Sequence, residues 1–398
     1  NYKEGLSDEE VEKLVRDTKQ LQQYQEEPSA AEDLEKIPVL RREDISREIA
    51  PIYNEVLDFD STPVVYHEIE TNGIGYVDLL FDLSGVSEEM LPYAGILQAV
   101  PGIIDTNNYE YGELFNEINV HTGGIGTSLE LYPNVEKVKE KEFKATFEIK
   151  TKALYGKLPV AFCMMQEILT ESQLTDEKRL KEILSMAKSR LQMRFQSSGH
   201  TTAALRAMSY ASPLSKLKDL TSGIGYYEIV KQIEEHFEEE KDVLIKNLQT
   251  LTKLLFRPEN MMVSYTAARE GMEDLEKLVS ELKAKLFTEP VQGQPCVIHC
   301  EKKNEGFKTS SKVQYVARAG NFIDGGASYT GALQILKVIL SYDYLWMNIR
   351  VKGGAYGCMS NFRKSGDSFL VSYRDPHLKN TLKIFENTPE YLTYIHGR

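Results

Sequence analysis

The chain lacks several things. It has no run of about 18 apolar residues, the minimum for a membrane-spanning helix, so no membrane span is expected. Its first residues, Asn-Tyr-Lys-Glu-Gly, are polar and do not have the pattern of a signal peptide. Basic charge is short: 47 lysines and arginines face 60 aspartates and glutamates, a formal net charge of −13. Nucleic-acid binding needs a basic face, so this balance argues against that class of partner. Cysteine is scarce, with four in 398 residues (Cys163, Cys296, Cys300 and Cys358), which points to a reducing, intracellular compartment. None of the seven histidines stands in H-E-x-x-H or H-x-x-E-H, and no serine stands in G-x-S-x-G. The glycine-rich pieces at 73–75, 123–126 and 223–225 lack the Lys-Ser/Thr of a phosphate loop. Cys296-x-x-His299-Cys300 has ligand residue types but no second ligand pair, and reads as a packed strand. On its own residues the chain cannot activate water or a nucleophile. Any part in catalysis is electrophilic help and binding surface.

What is present is an amphipathic pattern long enough for two or three domains. Ser7-Asp8-Glu9-Glu10 is a capping box opening a helix with Val11, Leu14, Val15 and Leu21 on one side. Pro28 interrupts it, a second helix is expected over 29–36, and residues 1–48 read as a helical hairpin connector. Beyond position 63 the period becomes two. Strands are expected at 64–70 and 74–83, joined by the Thr71-Asn72-Gly73 turn as a half-buried hairpin, then at 123–132 and 143–153. A helix begins near Leu91. Others are expected at 155–172, 175–195, 225–235, 239–255 and 272–286, with a strand at 261–266. Residues 288–295, with two prolines and a glycine, read as a linker. After it come a strand at 312–319, a helix at 329–346 and strands at 355–362 and 368–373. Strands and helices in groups give an α+β class, with antiparallel sheets packed by helices.

An internal repeat organises this order. Tyr93-Ala94-Gly95-Ile96-Leu97-Gln98 matches Tyr329-Thr330-Gly331-Ala332-Leu333-Gln334 at an offset of 329 − 93 = 236, which Val77 and Val313 share. Downstream, 118–126 resembles 349–357. The period implies two copies of a domain, 49–290 and 291–398, the second stopping early as if truncated. The glycine pair occurs in both copies, as Gly123-Gly124 and Gly353-Gly354, and belongs to the shared backbone. Arg350 and Tyr356 occur only in the second, where Asn119 is the first copy's counterpart of Arg350. A cation and a phenol are good partners for an oxygen gaining negative charge.

The capped hairpin with Ile37-Pro38-Val39-Leu40, the Tyr-x-Gly-x-Leu-Gln repeat and above all Arg350-x-x-Gly-Gly-Ala-Tyr356-Gly carry a resemblance. The chain resembles the C-terminal half of presequence-protease-like members of the pitrilysin–insulysin family of inverted-motif zinc peptidases. The resemblance implies four homologous α+β domains in two halves closing around a chamber. Zinc is then bound in the full-length enzyme by H-x-x-E-H and a further glutamate of the N-terminal half. Here the equivalent helices read Gly95 to Ala99 and Gly331 to Ile335, without those ligands, so no metal is expected in this chain. The implied partners are the N-terminal half and an unstructured, targeting-type peptide. Arg350 and Tyr356 are the implied catalytic residues, binding substrate and stabilising the oxyanion. Gly353, Gly354 and Ala355 are the implied substrate-binding backbone. The fragment alone is expected to be inactive. The alternative is a non-catalytic scaffold or partner-binding subunit of the same fold.

Overall fold

A computed structural model describes residues 5–26 and 30–396, in two compact units that divide between Ile52 and Tyr53.

The first unit holds α1 (Asp8–Glu26) and α2 (Ala31–Leu34). The capping box forms as expected: the Ser7 amide and hydroxyl donate to the Glu10 carboxylate at 2.8 and 3.0 Å, and the Glu10 amide donates to Ser7 Oγ at 3.3 Å. Leu14, Val15 and Leu21 are all about half exposed. The second helix is a single turn, not the span expected at 29–36; residue 29 itself lies outside the described residues.

Among the described residues the second unit contains nine strands. They are β1 (Glu55–Phe59), β2 (Thr62–Glu68), β3 (Ile74–Asp82), β4 (Ile125–Pro133), β5 (Phe143–Leu154), β6 (Met261–Ala267), β7 (Ala317–Asn321), β8 (Gly357–Phe362) and β9 (Asp367–Tyr373). Its helices are α3 (Leu91–Ala99), α4 (Tyr111–His121), α5 (Leu158–Thr170), α6 (Glu177–Ser197), α7 (Gly199–Met208), α8 (Pro213–Ser222), α9 (Ile224–Glu235), α10 (Phe237–Leu255), α11 (Leu275–Lys283), α12 (Ala332–Ile339), α13 (Leu378–Glu386) and α14 (Thr388–His396). Periodicity assigns no helix to 196–224, yet α7 and α8 lie there. Gly199 and Pro213 break a helical interior, but here each stands at a first helical position, where the amide needs no intrahelical partner.

Six strands form one sheet in the order β1-β2-β6-β3-β5-β4. The expected hairpin of β2 and β3 does not exist. Its turn forms, with Asn72 and Gly73 at φ +52° and +80°, but β6 inserts between the two strands. Tyr66 pairs with Tyr265 in parallel register, and Val77 pairs with Tyr265 in antiparallel register. Both β2 and β3 bury alternate residues completely, so each takes a central neighbour, and a turn between them does not oblige them to pair.

The main core lies between this sheet and its helices. The repeated glycine of the first copy has a packing reason: a Cβ on Gly95 of α3 would stand 2.7 Å from the Thr221 carbonyl and 2.9 Å from the Tyr226 ring, while Tyr226 donates to the Gly95 carbonyl at 3.2 Å. Gly331 meets nothing comparable.

On the sheet's other face the fully buried Glu148 accepts from Tyr132 at 2.5 Å and Thr146 at 2.7 Å, and forms an ion pair with Lys150 at 2.6 Å. Asp78 lies 3.3 Å from the same ammonium. Burial, then the Glu148 charge, lifts Asp78 to about 7 against the pull of Lys150. Between the ordinary aspartate value of 3.8 and about 7, the folded chain holds a proton that the unfolded chain has released. Stability therefore falls as pH rises through that window. Asp78→Asn should flatten this dependence, read as a smaller drop in Tm between pH 5 and pH 8. An unchanged drop would sink the assignment.

The second, smaller sheet has the order β7-β9-β8. This reproduces the antiparallel β3-β5-β4 of the first copy, which is the repeat expressed as topology. Val313 lies before β7 and not on it, so its match to Val77 is one of sequence only. A separate apolar cluster of Val316, Leu340, Tyr344, Leu345, Ile349, Ala355, Cys358 and Phe385 sits on this sheet. The expected linker is strapped down: Gln294 and Cys296 amides donate to the Gly85 and Ser84 carbonyls. The Cys296–Cys300 stretch has no regular secondary structure and is not a strand, and His299 is tied to Glu88 through its amide at 2.9 Å.

Candidate functional site

The helix expected at 329–346 begins as α12 and then widens into a π-helix, Leu340–Val351. Its buried positions Leu340, Tyr344, Leu345 and Ile349 recur every four to five residues, the spacing that fits this wider turn. The next stripe round the helix carries Tyr342, Trp346 and Arg350. A glycine turn closes it. Lys352 donates to Met347, Gly354 to Arg350 and Ala355 to Ile349. A Cβ on Gly353 would lie 2.5 Å from the Ile349 carbonyl, and Gly354 sits at φ +76°, so both places require glycine. Gly124, the counterpart of Gly354, has φ +97°. The second glycine of the pair thus has the same left-handed backbone in both copies. The amides of Gly354 and Ala355 point into the turn, and Ala355 is buried in the small core.

The turn delivers Tyr356 onto the start of β8, 64% exposed, with its amide donating to the Tyr373 carbonyl at 3.0 Å. Its ring meets Tyr373 edge-on at 5.6 Å. The Arg350 guanidinium lies over Trp346 at 4.0 Å and 5.7 Å from the Tyr356 ring. Among the described residues no carboxylate comes within ion-pair distance of Arg350, and no group hydrogen-bonds its guanidinium or the Tyr356 hydroxyl. The turn thus sets a half-buried cation with unused donors beside an exposed phenol, two groups that can each donate to an oxygen. The first copy has nothing equivalent: Asn119 turns its amide back to the Phe115 carbonyl at 2.7 Å. Burial pushes the Cys358 thiol up to about 12, against the opposing charge of Arg350, so this cysteine is no nucleophile.

The structure thus brings Arg350, Gly353, Gly354, Ala355 and Tyr356 into one turn. Trp346 completes the group and was not singled out by sequence reasoning. The available signal was its place four residues before Arg350 on a helix, where side chains stack. No group of three or more histidines, cysteines, aspartates or glutamates could hold a metal among the described residues. Gly95–Ala99 and Gly331–Ile335 present no ligand type, so the zinc implied by the resemblance does not fit this chain.

Fold and site together define a chain of two related α+β copies, each with an antiparallel sheet packed by helices. The chain belongs to the family described as Peptidase M16-C associated, whose model matches residues 1–233, and residues 304–396 match the model described as PreP C-terminal domain. The resemblance to presequence-protease-like peptidases therefore holds. Protein HypA of Clostridium perfringens is 36% identical over 98% of this chain and 40% of its own length. Presequence protease 1, chloroplastic/mitochondrial, of Arabidopsis thaliana is 28% identical over 98% of this chain and 36% of its own. The chain thus spans about two fifths of these relatives. Among solved structures, a conserved protein from Enterococcus faecalis superposes with TM-score 0.57 at 16% identity, over 84% of this chain and 79% of that one. A structure titled peptidase M16 inactive domain, from Pseudomonas fluorescens, gives 0.52 at 13%, over 86% and 80%. Both likenesses are of fold.

Proposed function

We propose that this chain is the C-terminal, non-zinc half of a zinc-dependent endopeptidase that degrades unstructured, targeting-type peptides. The observation that carries this reading is Arg350, a cation without a protein counter-charge among the described residues, held over the Trp346 ring beside the exposed Tyr356 in the second copy alone. In peptide hydrolysis the scissile carbonyl oxygen becomes negative. The Arg350 guanidinium and the Tyr356 hydroxyl donate to that oxygen or to the adjoining substrate backbone, and their idle donors need no rearrangement to do so. No catalytic step is assigned to a metal in this chain. The acidic balance, −13, suits a basic peptide, and the four free thiols suit a reducing intracellular compartment. No described helix is long and apolar enough to cross a membrane. A scaffold would have no use for the unpaired arginine and the exposed phenol together.

The isolated chain tests the division of labour. It is expected to hold less than about a tenth of an equivalent of zinc by elemental analysis and to cleave no unstructured peptide. The full-length protein, with an H-x-x-E-H half, is expected to do both. Stoichiometric zinc or cleavage by the isolated chain would overturn the reading.

A further inference from the structure

Tyr356 is connected by aromatic contacts to the first copy. Its ring and amide rest on Tyr373 of β9. Tyr373 in turn meets His200 edge-on at 4.7 Å, and its hydroxyl donates to the Ser197 carbonyl at 3.4 Å. Tyr315, just before β7, lies 5.7 Å from Tyr373 and 6.5 Å from His200, and donates to the Gln196 carbonyl at 2.5 Å. Gln196 and Ser197 end α6, where carbonyls lack intrahelical partners, so two tyrosines of the second copy cap a helix of the first. Gly199 and His200 then open α7, against which β7 and β9 pack. A Cβ at Gly199 would overlap the Tyr315 ring, so the corner admits only glycine there. His200 has a buried Nδ1 with no hydrogen-bond partner, and burial holds its pKa below the ordinary value. It acts as an uncharged packing ring near neutral pH.

We infer that the α6–α7 corner, in the copy without the Arg–Tyr pair, is the mount that positions Tyr356, with Tyr373 and His200 as positioning residues. The inference rests on the reading that Tyr356 donates to the substrate oxygen. It gives the first copy a task beyond filling the fold. A phenol 64% exposed on a strand start has few contacts of its own, and the ring beneath it sets the direction of its hydroxyl. Misplacing a donor by about 1 Å can cost up to 10²-fold in rate.

The test is peptide turnover by the full-length protein. Tyr373→Leu and His200→Ala should each lower kcat about tenfold with KM little changed. Tyr373→Phe, which keeps the ring, should restore turnover to within about threefold of wild type. If Tyr373 acts through Tyr356, Tyr373→Leu should cause no further loss in a Tyr356→Phe background. An equal loss in both backgrounds, or no loss from Tyr373→Leu, overturns the mount. Should Tyr356→Phe alone leave turnover intact, the catalytic reading falls by itself. In the isolated chain, where Trp346 is the single tryptophan, its emission then decides: a shifted spectrum in Tyr373→Leu upholds the mount, and an unchanged one overturns it.

Discussion

Arg350→Ala and Tyr356→Phe should each lower peptide turnover by the full-length protein about 10²-fold or more, with zinc content and Tm unchanged. The size follows from the role proposed for each group. One donor to a developing oxyanion is worth ~2.7–4 kcal/mol of transition-state stabilisation, and in water that oxygen would be solvated without either residue. The loss should fall on kcat more than on KM, because the charge that these donors meet exists only in the transition state. Arg350→Lys should recover little. An ammonium presents a compact charge, whereas the guanidinium stacked at 4.0 Å on Trp346 keeps its donors in a fixed plane. Stability should be indifferent, since Tyr356 is 64% exposed and Arg350 has no ion pair to lose among the described residues. Near-normal kcat in both variants would remove the pair from the mechanism and return Arg350 and Tyr356 to the surface.

Phe256→Ala is the change with the largest expected effect on stability, ~3–5 kcal/mol. Phe81 on β3 and Phe147 on β5 face each other across the strand pair, and Phe256 meets both edge-on, at 5.1 and 5.2 Å. All three rings are at most 2% exposed. Removing Phe256 leaves a cavity bounded by two strands that cannot close over it without breaking their register. Phe256 also stands five residues before β6, so it anchors the chain where that strand enters the sheet. The midpoint of urea unfolding should fall accordingly with the slope unchanged. The control is Ile335→Ala, at a side chain 65% exposed, where a change within about 0.5 kcal/mol is expected. A loss below about 1.5 kcal/mol at Phe256 would mean that the three-ring contact is not the centre of this core.

The two copies explain how much of the site was legible. The glycine pair could be assigned to the backbone because it recurs, and Gly124 and Gly354 do share a left-handed conformation. Arg350 and Tyr356 stood out because they do not recur. Trp346 did not, because a tryptophan at the end of an apolar helix has the same pattern whether it is buried or lies flat under a guanidinium. Tyr373 and His200 lie 173 residues apart (373 − 200), and nothing local in either stretch announces the other.

The absence of metal ligands in both repeat helices, the α1 capping box, the alternation along β3 and β5 and the glycine turn were determined by the sequence alone. Each is a matter of residue type at a spacing of a few positions, where local sterics and hydrogen bonding decide. Tertiary structure alone decided which strands pair. β2 and β3 carry a good turn between them, yet β6 separates them, because hydrogen-bonding edges are interchangeable and only the packing of the whole sheet against its helices selects a partner. It also decided that the site's phenol rests on the other copy. The contact between Tyr373 and the α6–α7 corner exists only once β7 and β9 of the small sheet pack on α7, a helix far earlier in the chain.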